Sequence, residues 1–138
     1  MKAEKSGRKQ DCDFQRGVNM GEVLAKRFAG PPEYRLSDDA IKDYYFKILY
    51  FIRGDRVTNF TYQVVYIIKG DTVQDFYYKY LYKFDGRYLR DFYGKVRLQV
   101  RDHFICDFYG KELYDLDGMP SRTTLIAFMC MLLDTGKV

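Results

Sequence analysis

The sequence predicts an α+β fold: a four- to five-stranded antiparallel β-meander with a 16-residue register, preceded by one helix and followed by another. Three observations predict it. Apolar residues alternate with polar ones over long stretches after Val57, as half-buried strands require. Gly70-Asp71 and Asp85-Gly86 stand between those stretches as turn signals. Asp75-Phe76-Tyr77, Asp91-Phe92-Tyr93 and Asp107-Phe108-Tyr109 recur at a spacing of 16, with weaker copies at Asn59-Phe60-Thr61 and Asp43-Tyr44-Tyr45.

Residues 1–19 are polar, carry Gly7 and Gly17, and read as a flexible basic tail; residues 20–138 read as a single globular domain. Gly21 to Ala29 reads as a short helix stopped by Gly30-Pro31-Pro32. Ser37 to Arg53 carries both periods. Ile41, Tyr44, Tyr45, Ile48, Leu49 and Ile52 recur at helical spacing, and Tyr44, Phe46, Ile48, Tyr50 and Ile52 alternate as a strand would. Ser37 as N-cap, Asp38 and Asp39 in the first turn and Gly54 as a stop favour the helix.

The strands follow. Phe60 to Ile68, Phe76 to Phe84 and Val96 to Val100 place their even-numbered apolar residues on one face. Sixteen residues suit one strand of ~10 residues and a tight turn, because a ~33 Å strand leaves too little chain for a parallel return. The even period then requires turns with an odd number of loop residues, or a bulge. Centring the turns on residues 54, 70, 86 and 102 makes Tyr77 face Lys95, Lys79 face Tyr93, Tyr93 face Lys111 and Lys95 face Tyr109. It also makes Tyr78 face Gly94 inside a strand. The last element starts after Met119-Pro120, is capped by Ser121, and runs from Thr123 to Asp134 with Gly136 beyond. It is apolar nearly all round and must be covered, either by the meander or by a second copy in a homodimer.

Composition narrows the function classes. A net charge of +4 is mild, and 18% aromatic residues, 14 Tyr and 11 Phe with no Trp, is the unusual figure. Cys12, Cys106 and Cys130 are odd in number and lack CxxC spacing, which points to reduced thiols in a cytoplasmic setting and no metal. There is no signal-like apolar stretch at the start and no apolar run of membrane-spanning length. His103 is the sole histidine and reads as an exposed turn residue. Asp55, Asp71, Asp85, Asp102 and Asp117 sit where turns favour Asp for backbone reasons. Gly94-Lys95 and Gly110-Lys111 lack the following helix of a phosphate loop.

The odd-numbered checkerboard is the candidate site: Tyr77, Lys79, Tyr93, Lys95, Arg97, Arg101, Tyr109 and Lys111. Lysine supplies charge to a phosphate or carboxylate, and tyrosine a flat surface for bases or sugars. Lys stems packed on Tyr rings would also stabilise a plain sheet face. The expected function is a non-enzymatic binding module, without cofactor, presenting this face to an acidic partner, either nucleic acid or protein. The alternative is a barrel-like aromatic cup, lined by Phe76, Tyr78, Tyr80 and Val96, that holds an apolar small molecule.

Overall fold

The computed structural model describes residues 22–138, so the expected tail, the start of the expected first helix and Cys12 lie outside the described residues. The meander is corrected by this structure. Twelve short strands form one closed antiparallel barrel, each paired with its neighbours in sequence, and the last pairs with the first. The strands are β1 (Val23–Arg27), β2 (Pro32–Leu36), β3 (Ala40–Asp43), β4 (Ile48–Arg53), β5 (Arg56–Asn59) and β6 (Val64–Lys69), then β7 (Thr72–Gln74), β8 (Tyr80–Phe84), β9 (Tyr88–Asp91), β10 (Val96–Arg101), β11 (Phe104–Cys106) and β12 (Glu112–Leu116). One helix follows, α1 (Arg122–Asp134).

No helix precedes the sheet among the described residues. Val23–Arg27 is a strand, and residues 37–53 form a hairpin of β3 and β4. The caps that favoured a helix have other uses. The Ser37 hydroxyl reaches Asp39 and the Ala40 carbonyl, which shapes the tight turn between β2 and β3.

Each 16-residue unit makes two strands and two turns. At one end of the barrel are two-residue turns such as Gly54-Asp55, Gly70-Asp71 and Asp102-His103. At the other end are the copies of Asp-Phe-Tyr-Gly-Lys, which form wider hairpins here called crown turns: residues 27–31, 43–47, 59–63, 75–79, 91–95 and 107–111. A bulge accompanies each of the six, between residues 25 and 26, 41 and 42, 57 and 58, 73 and 74, 89 and 90, and 105 and 106.

The register centred on residues 54, 70, 86 and 102 is therefore wrong. The observed pairs are Ile52↔Val57, Ile68↔Val73 and Phe84↔Leu89, which differ by odd numbers. Inward residues alternate in parity from strand to strand, and two such steps per unit restore the even period.

One core cluster takes residues from all twelve strands, including Ala25, Leu36, Ile41, Val57, Val73, Leu89, Leu98 and Ile105, together with α1. Nine consecutive helix residues, Thr124 to Leu132, are buried. At ~100° per residue nine positions cover the whole circumference, so α1 runs inside the barrel. A twelve-stranded barrel is wider than the eight-stranded kind that side chains alone fill, and the helix occupies the extra room. Ser121 accepts the N-terminal bond from Thr124 N, and Thr124 Oγ1 donates to the Ser37 carbonyl at 2.9 Å. Arg122 Nη2 donates to the Phe84 carbonyl at 3.0 Å. These bonds fix the N-terminus of α1 at the end opposite the crown, so its C-terminus reaches the crown. No helix among the described residues is long and apolar enough to cross a membrane.

Candidate aromatic crown and mouth cleft

The crown turns share one design. In five of them the side-chain oxygen of the first residue accepts the backbone N–H groups two and four residues on. Asp91 Oδ1 takes Tyr93 N at 2.9 Å and Lys95 N at 3.0 Å, and Asp43, Asn59, Asp75 and Asp107 do the same at 2.8–3.1 Å. The carboxylate is the scaffold of the turn, as Asp is in Asx-type turns. The sixth turn starts with Arg27 and closes through Gly30 N to the Arg27 carbonyl.

The fourth residue of the five Asp/Asn turns has a left-handed backbone. Gly94 (φ +80°) and Gly110 (φ +89°) suit it, so they lie in turns and not inside strands as expected. Phe46, Tyr62 and Tyr78 hold the same conformation at φ +73°, +66° and +65°. A bulky L-residue there costs ~1–2 kcal/mol. Gly94→Ala should lower stability by ~1 kcal/mol although a Cβ there meets nothing within 4 Å. Denaturant unfolding checks this; an unchanged midpoint would remove backbone strain as the explanation.

The turns gather the exposed rings. Among the described residues all thirteen exposed large aromatic side chains lie on the six crown turns, and Tyr45, Tyr77, Tyr93 and Tyr109 are 83–88% exposed. A monomer's surface seldom gathers apolar residues in this way without a use for them. The tyrosines of the third position are each followed, two residues on, by an exposed lysine: Lys47, Lys79, Lys95 and Lys111.

Tyr77, Lys79, Tyr93, Lys95, Tyr109 and Lys111 all stand on three adjacent crown turns, while Arg97 and Arg101 lie on β10. Lys79, Tyr93 and Arg97 meet in one cleft of about 290 Å³, together with Tyr80, Leu81, Tyr82, Asp91, Phe92 and Asp134. Arg97 is 3.7 Å from Asp91. Lys95 Nζ sits 5.9 Å from the centre of the Phe108 ring, and Arg101 pairs with Glu112 at 3.0 Å. A second cleft of about 470 Å³ lies one turn back, lined by Tyr62, Gln63, Val64, Val65, Phe76 and Tyr77.

Asp134, the last residue of α1, closes the floor of the first cleft. Tyr66 Oη donates to Asp134 Oδ2, and Tyr82 Oη to Oδ1 at 3.0 Å. Burial, with the Asp134 carboxylate as second cause, pushes both phenols above their ordinary value of 10. Burial and the Glu33 bond do the same to Tyr114. The folded chain holds these protons after the unfolded chain begins to release them near pH 10. Their stabilisation is therefore complete below pH 10 and is lost as pH rises above it. Alkaline unfolding should start there, and Tyr66→Phe should make the fall in stability shallower by up to ~1.4 kcal/mol per pH unit. An unchanged slope in denaturant titrations above pH 10 would contradict this assignment.

Of the residues around this cleft, Tyr82 and Asp134 carry no functional role in the sequence, Tyr80 belongs there to the cup, and Asp91 and Phe92 to the repeat alone. Centring the turns on residues 86 and 102 put Tyr93, Gly94 and Lys95 inside a strand; the left-handed position filled by Gly94 and Gly110 is the signal that marks a turn instead.

A larger depression, about 630 Å³, lies on the outer wall beside the β12–β1 junction. Its polar groups serve the junction itself. His103 Nδ1 pairs with Asp115 at 2.7 Å, and Asp117 Oδ1 accepts from Leu24 N at 2.8 Å. Among the described residues no three His, Cys, Asp or Glu side chains gather as a metal site would need. Cys106 and Cys130 are buried free thiols, and burial pushes both above the usual thiol value. No family model, curated protein or solved structure matches this chain.

Proposed function

We propose that the protein is a non-enzymatic binding module that takes a small, partly apolar ligand at the aromatic mouth of its barrel. The observation that carries this reading is the cleft between crown turns 75–79 and 91–95. Four rings (Tyr80, Tyr82, Phe92 and Tyr93) line it, with Lys79, Arg97, Asp91 and Asp134 around them. Ligand sites commonly join apolar walls to a few placed polar groups. The barrel closes, as the cup alternative requires. Its lumen is taken by α1, so the concave surface lies at the mouth: Tyr80 lines the cleft, and Phe76 and Tyr78 stand exposed on the rim. The strained backbone at Phe46, Tyr62 and Tyr78 adds support, because strain of this kind gathers at functional sites.

The test uses 1-anilinonaphthalene-8-sulfonate, whose flat rings and single sulfonate match apolar walls beside Lys79 and Arg97. Bound dye should fluoresce, and Phe92→Ala should weaken binding by ~10-fold. Equal affinity in wild type and variant would refute the cleft.

A second reading, an acidic partner, rests on the recurrence of Lys47, Lys79, Lys95 and Lys111 beside exposed tyrosines. The logarithm of the affinity for single-stranded RNA would then fall linearly with the logarithm of salt concentration.

A further inference from the structure

Two clefts of the crown share five lining positions, 16 residues apart. Gln63, Val64, Val65, Phe76 and Tyr77 line the cleft between turns 59–63 and 75–79. Sixteen residues on, Lys79, Tyr80, Leu81, Phe92 and Tyr93 line the cleft between turns 75–79 and 91–95. The third copy of the pattern falls on Lys95, Val96, Arg97, Phe108 and Tyr109, between turns 91–95 and 107–111. There Lys95 lies over the Phe108 ring, 5.9 Å from its centre. Going round the closed barrel, these three gaps are consecutive. The run ends on either side, because Thr61 and Ala29 replace the tyrosine at the two bordering positions.

Sites repeated at one fixed step suit a ligand that repeats at the same step. Neighbouring crown turns are two strands apart, which places equivalent rings ~10 Å from one another along the rim. That step is close to the length of two sugar rings in an extended β-linked chain. Such a chain offers flat C–H faces to tyrosine rings, and its hydroxyls can both donate to carboxylates and accept from lysines. Charge argues against a polyanion: in turns 43–47, 75–79, 91–95 and 107–111 each lysine is matched by an aspartate, Asp43, Asp75, Asp91 and Asp107, so each turn is neutral. The rings stand far out in solvent, with Tyr77, Tyr93 and Tyr109 at 83–88% exposure.

We infer that the three consecutive gaps bind successive disaccharide units of one uncharged, β-linked polysaccharide, with Tyr77, Tyr93 and Tyr109 as the stacking platforms. This inference rests on the mouth cleft being a ligand site, of which it is the middle copy. Tyr45 stands outside the set. It sits on the same kind of turn at the same exposure, but its gap is bordered by Pro31, Pro32 and Glu33, and it has no equivalent neighbour.

The experiment is calorimetric titration of residues 1–138 with β-1,4-linked glucose and N-acetylglucosamine oligomers of increasing length, at low and high salt. Affinity should rise with each added disaccharide until three gaps are spanned, then level off, with little salt dependence. Tyr93→Ala, Tyr77→Ala and Tyr109→Ala should each lower affinity for the hexamer by ~10-fold, and Tyr45→Ala should leave it unchanged. The variants sit on exposed side chains, and the unfolding midpoint shows that each retains its fold. Affinity independent of oligomer length overturns the inference and leaves the single cleft standing. Equal loss in Tyr45→Ala and Tyr93→Ala also overturns it. If no oligomer binds, the inference fails outright; dye binding sensitive to Phe92→Ala then decides whether the mouth cleft fails with it. Binding to RNA alone, lost as salt rises, would replace the polysaccharide with a polyanion.

Discussion

Phe128→Ala is expected to lower the unfolding free energy by ~3–5 kcal/mol, as truncation of a large buried ring does. Phe128 is fully buried at the centre of α1. Its ring meets Tyr34 at 5.3 Å and Tyr114 at 5.8 Å, both edge-on, so the helix is keyed to β2 and β12 from inside. Alanine would leave a cavity that the closed wall can collapse on only slightly, since each strand is held by two neighbours. Chemical denaturation followed by circular dichroism measures the loss. The midpoint should not depend on protein concentration, because the apolar residues of α1 are covered by the barrel of the same chain. A concentration-dependent midpoint, or a loss under ~1 kcal/mol, would show that α1 is not the filling of the lumen.

The C-terminal helix was legible in the sequence because its signals are local. Ser121 caps, Gly136 takes a left-handed backbone, and the apolar run needs cover on every side. The repeat was legible too, but not its meaning. Strands β7 (Thr72–Gln74) and β11 (Phe104–Cys106) have three residues each, too few to show a period of two. Val73, Leu89 and Ile105 are their inward residues and those of β9, and all are odd-numbered. The long strands show even-numbered apolar residues, so parity alone suggests one strand per unit. Tyr and Phe strengthened the error. Their strand preference is a packing preference, and on the crown they are exposed, where it does not apply.

The candidate site was legible by residue type and not by place. Tyr77, Lys79, Tyr93, Lys95, Tyr109 and Lys111 stand on three turns at the end of a barrel, and Arg97 and Arg101 on a strand of its wall, where the sequence reading put all eight on one sheet face. Aspartate makes the difference. Five backbone-capping side chains at a spacing of 16 mark hairpin ends, and the tyrosines two residues after four of them, Tyr45, Tyr77, Tyr93 and Tyr109, stand in solvent. Asp134 could not be placed from sequence, because its meeting with Tyr82 depends on a helix threading the barrel.

Closure depends on one junction that no turn connects. β12 pairs with β1 through Tyr114↔Arg27, Asp115↔Lys26 and Leu116↔Ala25, across about two thirds of the chain. The entropy of bringing such distant strands together must be offset by what holds them. Three strands meet at Tyr114. Its Oη accepts from Arg27 Nη2 on β1 at 2.9 Å and donates to Glu33 Oε1 on β2 at 2.9 Å. Arg27 Nε and Glu33 Oε2 complete the triangle at 3.2 Å. Tyr114 is itself fully buried, with its ring against Tyr34 and Phe128. Tyr114→Ala should therefore cost ~3–5 kcal/mol, for a lost core ring and a lost clasp together. Tyr114→Phe keeps the ring and removes only the hydroxyl bonds, so it should cost ~1–3 kcal/mol. Hydrogen exchange separates the two roles. In Tyr114→Phe the amides of β1 and β12 should lose protection first, while those of β5 to β8 on the far side keep theirs. Uniform loss around the barrel would mean that the junction opens only with the whole fold, and that Tyr114 acts as core and not as clasp.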